Sequence, residues 1–197
     1  MPDADDTKTR IYRAAVEMFY THGYASASMR SIVQAADVRM SSVYYHYANK
    51  QELLYEVMRR SIEESTSLVL HSIEGATGPE ARLRAALGAE IDWHTRRQHE
   101  AFIADAELFR LEEPYRAEII ALRDREESIF REIVDEGMRA GTFDLRDPNL
   151  VIRMLLTATT GVSRWYRADG PDTPAKIAAS FADAVITGLR PRSSSTH

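Results

Sequence analysis

Apolar residues recur three and four positions apart along almost the whole chain, the period of helices that bury one face. Ile11, Ala14, Ala15, Met18 and Phe19 form the first stripe, and Gly23 stands where a glycine commonly ends a helix. Leu54, Val57, Met58, Ser61, Ile62, Leu68 and Val69 form a longer one over 50–74, closed by Gly75, Gly78 and Pro79. Pro79 suits the first position of the next helix, over 79–97. A shorter helix is expected over 99–110, and another from Pro114 to Gly137 or Gly141. Asp147-Pro148 and Thr173-Pro174 each place a capping side chain before a proline that can start a helix. They predict helices over 148–167 and 174–189, separated by Gly170-Pro171 and stopped by Gly188 and Pro191. No alternating β-branched run with hairpin turns is present, nor an internal repeat. The pattern predicts an all-α fold of about nine helices with short connections.

Composition narrows the class. The chain has 197 residues, 44% hydrophobic and 28% charged, enough to bury a proper core and unlike a disordered chain. It lacks the run of about 18 apolar residues that a membrane span needs. Its acidic start, MPDADDTKTR, does not read as a secretory signal. The absence of cysteine excludes disulfides, thiolate metal sites and a cysteine nucleophile, and fits the reducing cytoplasm expected as its location. The tail from residue 191, ending SSSTH, is expected to be disordered. The net charge of −5 hides an asymmetry: residues 7–60 hold eight Lys or Arg against four acids, and residues 61–197 hold 17 against 23. A basic N-terminal part on an acidic body is the pattern of a nucleic-acid reader joined to a second module.

The informative stretch runs from Ser28 to Leu53, SMRSIVQAADVRMSSVYYHYANKQEL. Ile32, Ala35 and Ala36 share one face of a short helix, Asp37-Val38 follow as a turn, and Val43 and Tyr47 return an apolar face from a second short helix. Two short helices crossing over a tight turn make a helix-turn-helix, whose second helix enters the DNA major groove. Its outer face holds Arg39, Met40, Ser41, Ser42, Tyr44, Tyr45 and His46, a set without carboxylates that can bond phosphates and base edges. Tyr47 and one of Tyr44 or Tyr45 are expected in the core, and Arg30 reads as a solvated charge.

Here the sequence resembles the tetracycline-repressor (TetR) family of bacterial transcription regulators. Gly23-Tyr24, Ser28, Ile32, Ala35, Val38, Val43-Tyr44-Tyr45-His46-Tyr47, Lys50 and Leu53 match, in order and spacing, a pattern ending in Leu-Tyr-x-His-Phe-x-x-Lys-Glu-x-Leu. Asp37 replaces the usual turn Gly, Arg39 the capping Ser, Met40-Ser41 a Lys-Gly pair and Ala27 a Thr. Carried over by position, the resemblance implies DNA contacts from Ser28, Met29, Arg39, Met40, Ser41, Ser42, Tyr44, Tyr45, His46 and Lys50, with Ser28 and Lys50 on phosphate at helix N-termini. It also implies a DNA-binding domain over 1–50 and an effector-binding, dimer-forming domain over 51–190.

The residues themselves favour a dimer. Val151, Met154, Leu155, Ala158, Val162 and Trp165 form one stripe, and Ile177, Phe181, Ala184, Val185 and Leu189 another. Two such helices from each chain would form a two-fold four-helix interface, with Val151, Met154, Leu155, Ala158, Val162, Phe181, Val185 and Leu189 as its candidates. Pairing two reading heads fits a palindromic operator with half-sites about 34–36 Å apart. Trp93, His94, Arg97, Phe102, Phe109, Arg123, Trp165 and Tyr166 are the candidates for a small-molecule pocket, aromatic walls with a few polar groups. The stretch ALRDREESIFREIVDEGMRAGTFDLRDP resembles the subgroup of the family that controls fatty-acid or steroid breakdown, which implies a hydrophobic effector of the acyl-coenzyme A thioester class. The competing effector is a planar or multidrug-type ligand of an efflux or drug-response repressor. No metal or other cofactor is expected: Trp93-His94 and His99 lack metal-ligand spacing. No enzyme is expected either, since nucleophile-elbow, zincin and phosphate-loop motifs are absent. The adjacent acids at 112–113 and 126–127 read as a solvated charged face, not as an acid/base pair.

Overall fold

The computed structural model describes residues 4–191, with side chains from residue 7. In chain order it contains α1 (Ala4–Ser26), α2 (Met29–Ala36), α3 (Met40–His46), α4 (Lys50–Ile73), α5 (Pro79–Arg96), α6 (Gln98–Ala106), a 3-10 turn (Leu108–Arg110), α7 (Tyr115–Arg139), α8 (Pro148–Thr160), α9 (Val162–Trp165) and α10 (Pro174–Leu189). Among the described residues there is no strand, and no helix is long and apolar enough to cross a membrane. The tail expected to be disordered lies, apart from Pro191, outside the described residues.

The caps read from the sequence are formed. Asp147 accepts a hydrogen bond from the Leu150 amide at 3.0 Å, and Thr173 one from the Lys176 amide at 3.3 Å. Three boundaries differ from the expectation: α1 breaks at Gly23 but runs on to Ser26, the helix foreseen over 99–110 ends at Ala106 before the 3-10 turn, and the one foreseen over 148–167 is split. The helix foreseen over 148–167 is α8 followed by the single turn α9; it ends where Tyr166 becomes extended, at φ −61 and ψ 139. Of the two glycines that could stop α7, Gly141 does so, at φ 69, a conformation that costs glycine little. Gly137 lies inside the helix for a different reason. A Cβ there would collide with the Phe143 ring, which folds back over that turn and is buried.

The chain forms two compact units. One comprises residues 1–62 and 99–122, the other 63–98 and 123–197. In the first, Ile11, Ala15 and Phe19 of α1 meet Ile32 of α2, Val43 of α3 and Leu53, Leu54, Val57 and Met58 of α4. Ile103, Leu111 and Ile119 belong to the same core, so a segment some 50 residues downstream completes the N-terminal helices. In the second, α5 is the central helix: α10 lies along it, and α8 and α9 pack on it. Val69, Leu83, Leu87, Phe130, Ile133, Ile152 and Ile186 form the main core there, and Ile91, Val162 and Ile177 a smaller one. Each fully buried Leu, Ile or Phe contributes roughly 1.5–3 kcal/mol, so these clusters hold each unit.

Candidate functional site

The helix-turn-helix is built in the first unit. Ser28 caps α2: its Oγ accepts the Ser31 amide at 3.1 Å, and the Ser31 Oγ accepts the Ser28 amide at 3.0 Å. This is a reciprocal capping box made by two serines, where a Glu or Gln is the usual second member. Asp37 then turns the chain in the left-handed conformation, φ 50 and ψ 53, which Asp tolerates better than most residues. The Val38 amide closes back on the Val33 carbonyl at 3.3 Å. Arg10 of α1 locks this turn, donating to the Ala36 and Asp37 carbonyls at 2.7 and 2.6 Å. Nothing in the sequence spacing marks Arg10 for that role; it needs two segments 26 residues apart to meet.

Val43 and Tyr47 bury the inner face of α3, as their spacing predicts. Val33, not Ala35, joins Ile32 and Ala36 on the inner face of α2, while Ala35 is exposed, because an eight-residue helix turned that way presents its 32/33/36 edge to the core. The outer face of α3 is open. Tyr44 is 53% and Tyr45 82% exposed, so neither is the core residue that one of them was expected to be. Val43 and Tyr47, four apart, already fill the inner stripe of so short a helix. Ser28, Arg39 and Ser41 are exposed, and Met29, Met40, Ser42 and His46 partly so, with Met29 packed against the core. Arg39 occupies the N-cap of α3 in extended conformation without a side-chain cap.

The basic charge of this unit is unevenly available. Arg59 and Arg60 grip the nearly buried Glu56 at 2.8 and 2.7 Å. Burial pushes the Glu56 carboxyl up, but these two guanidinium bonds outweigh it and hold it below the usual carboxylate range. Arg10 is engaged at the turn. Lys50 donates to the Tyr24 and Ala27 carbonyls at 2.9 and 2.8 Å and lies 4.2 Å over the Tyr24 ring, so its ammonium braces the start of α2 from the first turn of α4. Arg13, Arg30, Arg39 and, beside Glu107, Arg110 are the exposed cations among the described residues of this unit. The Tyr47 hydroxyl is buried without a hydrogen-bond partner among the described residues, and burial pushes it up to about 12.

The eight effector candidates are divided between the two units. Phe102, edge-on to Tyr20 at 5.4 Å, and Phe109, 87% exposed on the 3-10 turn, belong to the first unit. The other six belong to the second. Trp93 and Arg97, whose guanidinium lies 5.9 Å from the indole, share a groove of about 400 Å³ with Glu64, Ser67, Leu68, Asp92 and Arg96. Tyr166 packs on the Ile91–Val162–Ile177 cluster, Trp165 is half exposed, and Arg123 is partly buried on α7. His94 is buried and donates from Nδ1 to the Glu90 carbonyl at 2.7 Å.

Beside His94 lies a polar cluster that periodicity did not reveal. Glu90 is almost wholly buried and accepts from Ser65 at 2.9 Å, while Thr66 donates to Glu126 at 3.3 Å. The two carboxyls are hydrogen-bonded to each other, and burial pushes both up, so the pair holds a shared proton. Glu126 is therefore not part of the solvated face expected for the 126–127 pair. Adjacent helical residues point about 100° apart, and only Glu127 turns outward, to Arg131. No metal-binding group of three His, Cys, Asp or Glu exists among the described residues.

Of the eight interface candidates, Leu155, Val162 and Leu189 are buried within the chain itself and belong to its core. Met154 is 63% exposed, Ala158 is exposed, and Val151, Phe181 and Val185 are partly so; Leu150, 55% exposed, joins them.

Residues 11–57 match the profile of bacterial regulatory proteins of the tetR family, and residues 76–189 match the tetracyclin repressor-like C-terminal domain. The HTH-type transcriptional repressor KstR2 of Mycolicibacterium smegmatis is 24% identical over 185 residues, covering 92% of this chain and 90% of its own. Among solved structures, a tetR-family regulatory protein from Rhodococcus RHA1 has a TM-score of 0.89 at 24% identity, covering 95% of this chain and 98% of its own. AibR in complex with isovaleryl coenzyme A and operator DNA has a TM-score of 0.81 at 24% identity, covering 94% and 98%. With the amino-terminal profile on the helix-turn-helix and the carboxyl-terminal one over more than half of the sequence, the chain belongs to the TetR family of bacterial regulatory proteins.

Proposed function

We propose that the protein is a homodimeric transcriptional repressor that reads a palindromic operator with α3 and is released from it by an acyl-coenzyme A thioester. The observation that carries the reading is the outer face of α3, where two tyrosines, a serine and Arg39 stand exposed on a helix whose opposite face is anchored in the core. Ser28, Met29, Met40, Ser42, His46 and Lys50 complete the contact set, Lys50 by holding the α2 N-terminus toward the phosphates. The exposed apolar face of α8 and α10 supports pairing of two chains, which supplies the second half-site. The repressor KstR2 supports the repressor reading, and the isovaleryl coenzyme A complex of AibR supports the effector class. The effector acts by population shift: it favours a conformation in which the two recognition helices no longer fit both half-sites, to the extent that it binds that conformation better. Titrating the operator complex with isovaleryl coenzyme A, free coenzyme A and a planar cationic dye tests this reading. Release by the thioester alone is expected; release by the dye alone would assign the protein to the multidrug-responsive class instead.

A further inference from the structure

The reading head is completed by a segment far outside it. Leu108 and Leu111 anchor residues 107–112 in the core of the first unit, and the polar groups of this strap bind both flanks of the helix-turn-helix. The Glu107 Oε1 accepts the Tyr24 amide at 3.1 Å, one residue after the Gly23 break. That break, at φ 74 and ψ 153, lies in the last turn of α1, shortly before the Ser28 cap of α2. Arg110 stands 3.7 Å from the other Glu107 oxygen, and the Glu107 side chain is only 17% exposed. On the far flank, the Gln51 side chain donates to the Arg110 carbonyl at 2.8 Å and accepts the Glu112 amide at 3.0 Å, directly after Lys50. Lys50 in turn holds the Tyr24 and Ala27 carbonyls. The peptide units around Tyr24 are thus gripped from both sides, the amide by Glu107 and the carbonyl by Lys50. A bond to a carboxylate is among the stronger ones, and a largely buried one is little screened.

We propose that Glu107 is a positioning residue for operator reading: by fixing the Tyr24 amide it sets the angle at which α2 and α3 leave α1. The inference rests on the DNA-binding reading above, but its first measurement needs no DNA. Amide hydrogen exchange at Tyr24 is compared in wild type, Glu107→Ala and Glu107→Gln, and affinities for the operator and for bulk duplex are then measured for all three. Both variants remove the same charge, so general electrostatic attraction to DNA changes equally in each, while only Gln keeps a carbonyl acceptor. In Glu107→Ala, Tyr24 exchange should rise and the operator-to-bulk affinity ratio fall about ten- to a hundredfold, the range of a hydrogen bond to a charged group. Glu107→Gln should stay within about threefold of wild type in both. Unchanged exchange and an unchanged ratio in Glu107→Ala would overturn the proposal. Should Glu107→Ala not fold, Gln51→Ala takes its place on the other flank, with a reduced ratio expected and a wild-type ratio overturning it. If the wild-type protein selects no operator, the exchange rates alone decide, so failure of the latch and failure of the DNA reading remain distinct.

Discussion

Tyr47 stands where the family pattern has a Phe, and the structure shows what the extra oxygen does. The ring fills the inner face of α3, and its hydroxyl finds no partner among the described residues. A buried hydroxyl without a hydrogen bond costs about 1–3 kcal/mol. Tyr47→Phe keeps the ring and removes that group, so it should raise stability by about 1 kcal/mol in thermal unfolding. A loss of stability would mean that the hydroxyl is bonded. Arg39 poses the complementary case. It holds the extended backbone of an N-cap, φ −81 and ψ 149, without an acceptor for the first amides of α3. Arg39→Ser should stabilise the fold by about 1 kcal/mol through a new cap. The same change should make the dependence of log affinity on log salt shallower by about 0.9, one phosphate contact. An unchanged slope would place Arg39 away from the backbone.

At the scale of elements, the contact between α4, α5 and α7 joins an apolar core to a proton. Glu90 and Glu126 share a hydrogen bond that exists only while one of them is protonated, and burial raises both above the ordinary value of 4.5. A carboxyl raised in the folded state contributes stability that is full below its unfolded value and is lost as pH rises through the folded one. The Glu126→Gln amide keeps a donor toward Glu90 and an acceptor for Thr66. The variant should therefore match wild type below pH 4.5 and become progressively more stable than it above that, as read from melts across the pH range. Parallel curves would show that the pair does not titrate. This cluster was illegible in the sequence because its partners stand 25 and 60 positions apart on three helices, each polar position looking like surface. What was legible is local. The proline caps of α8 and α10, the Asp37 turn, Ile32 and Ala36 of α2 and the inner stripe of α3 are all decided within a few residues. Periodicity gave the wrong partition where an apolar arc is wider than one contact. Leu155, Val162 and Leu189 lie on the same stripes as Met154 and Phe181, yet close the core of their own chain.

For the whole molecule, the charge asymmetry pointed toward DNA, but much of the positive charge is held internally by Glu56, the Asp37 turn and the Tyr24 and Ala27 carbonyls. The exposed side chains of α3 carry the inference further than the charge count does. Pairing of two chains has its own test on the exposed face of α8. Met154→Arg should leave the thermal stability of the monomer nearly unchanged, since the side chain is 63% exposed. It should weaken self-association about tenfold or more in sedimentation equilibrium, because a charge without a partner would be buried at the interface. A wild-type protein that is monomeric at all concentrations would remove the two-fold reading. The most direct test of operator reading is selection of bound fragments from the source genome at about 0.15 M salt. It is run with wild type and with Tyr44 and Tyr45 both changed to Ala, after refolding to strip any carried effector. Wild type should enrich one palindrome with half-sites about one helical turn apart, and the double variant should lose that enrichment while still binding bulk DNA. No enriched sequence from the stripped wild type, or equal enrichment by both proteins, would contradict operator reading through the outer face of α3.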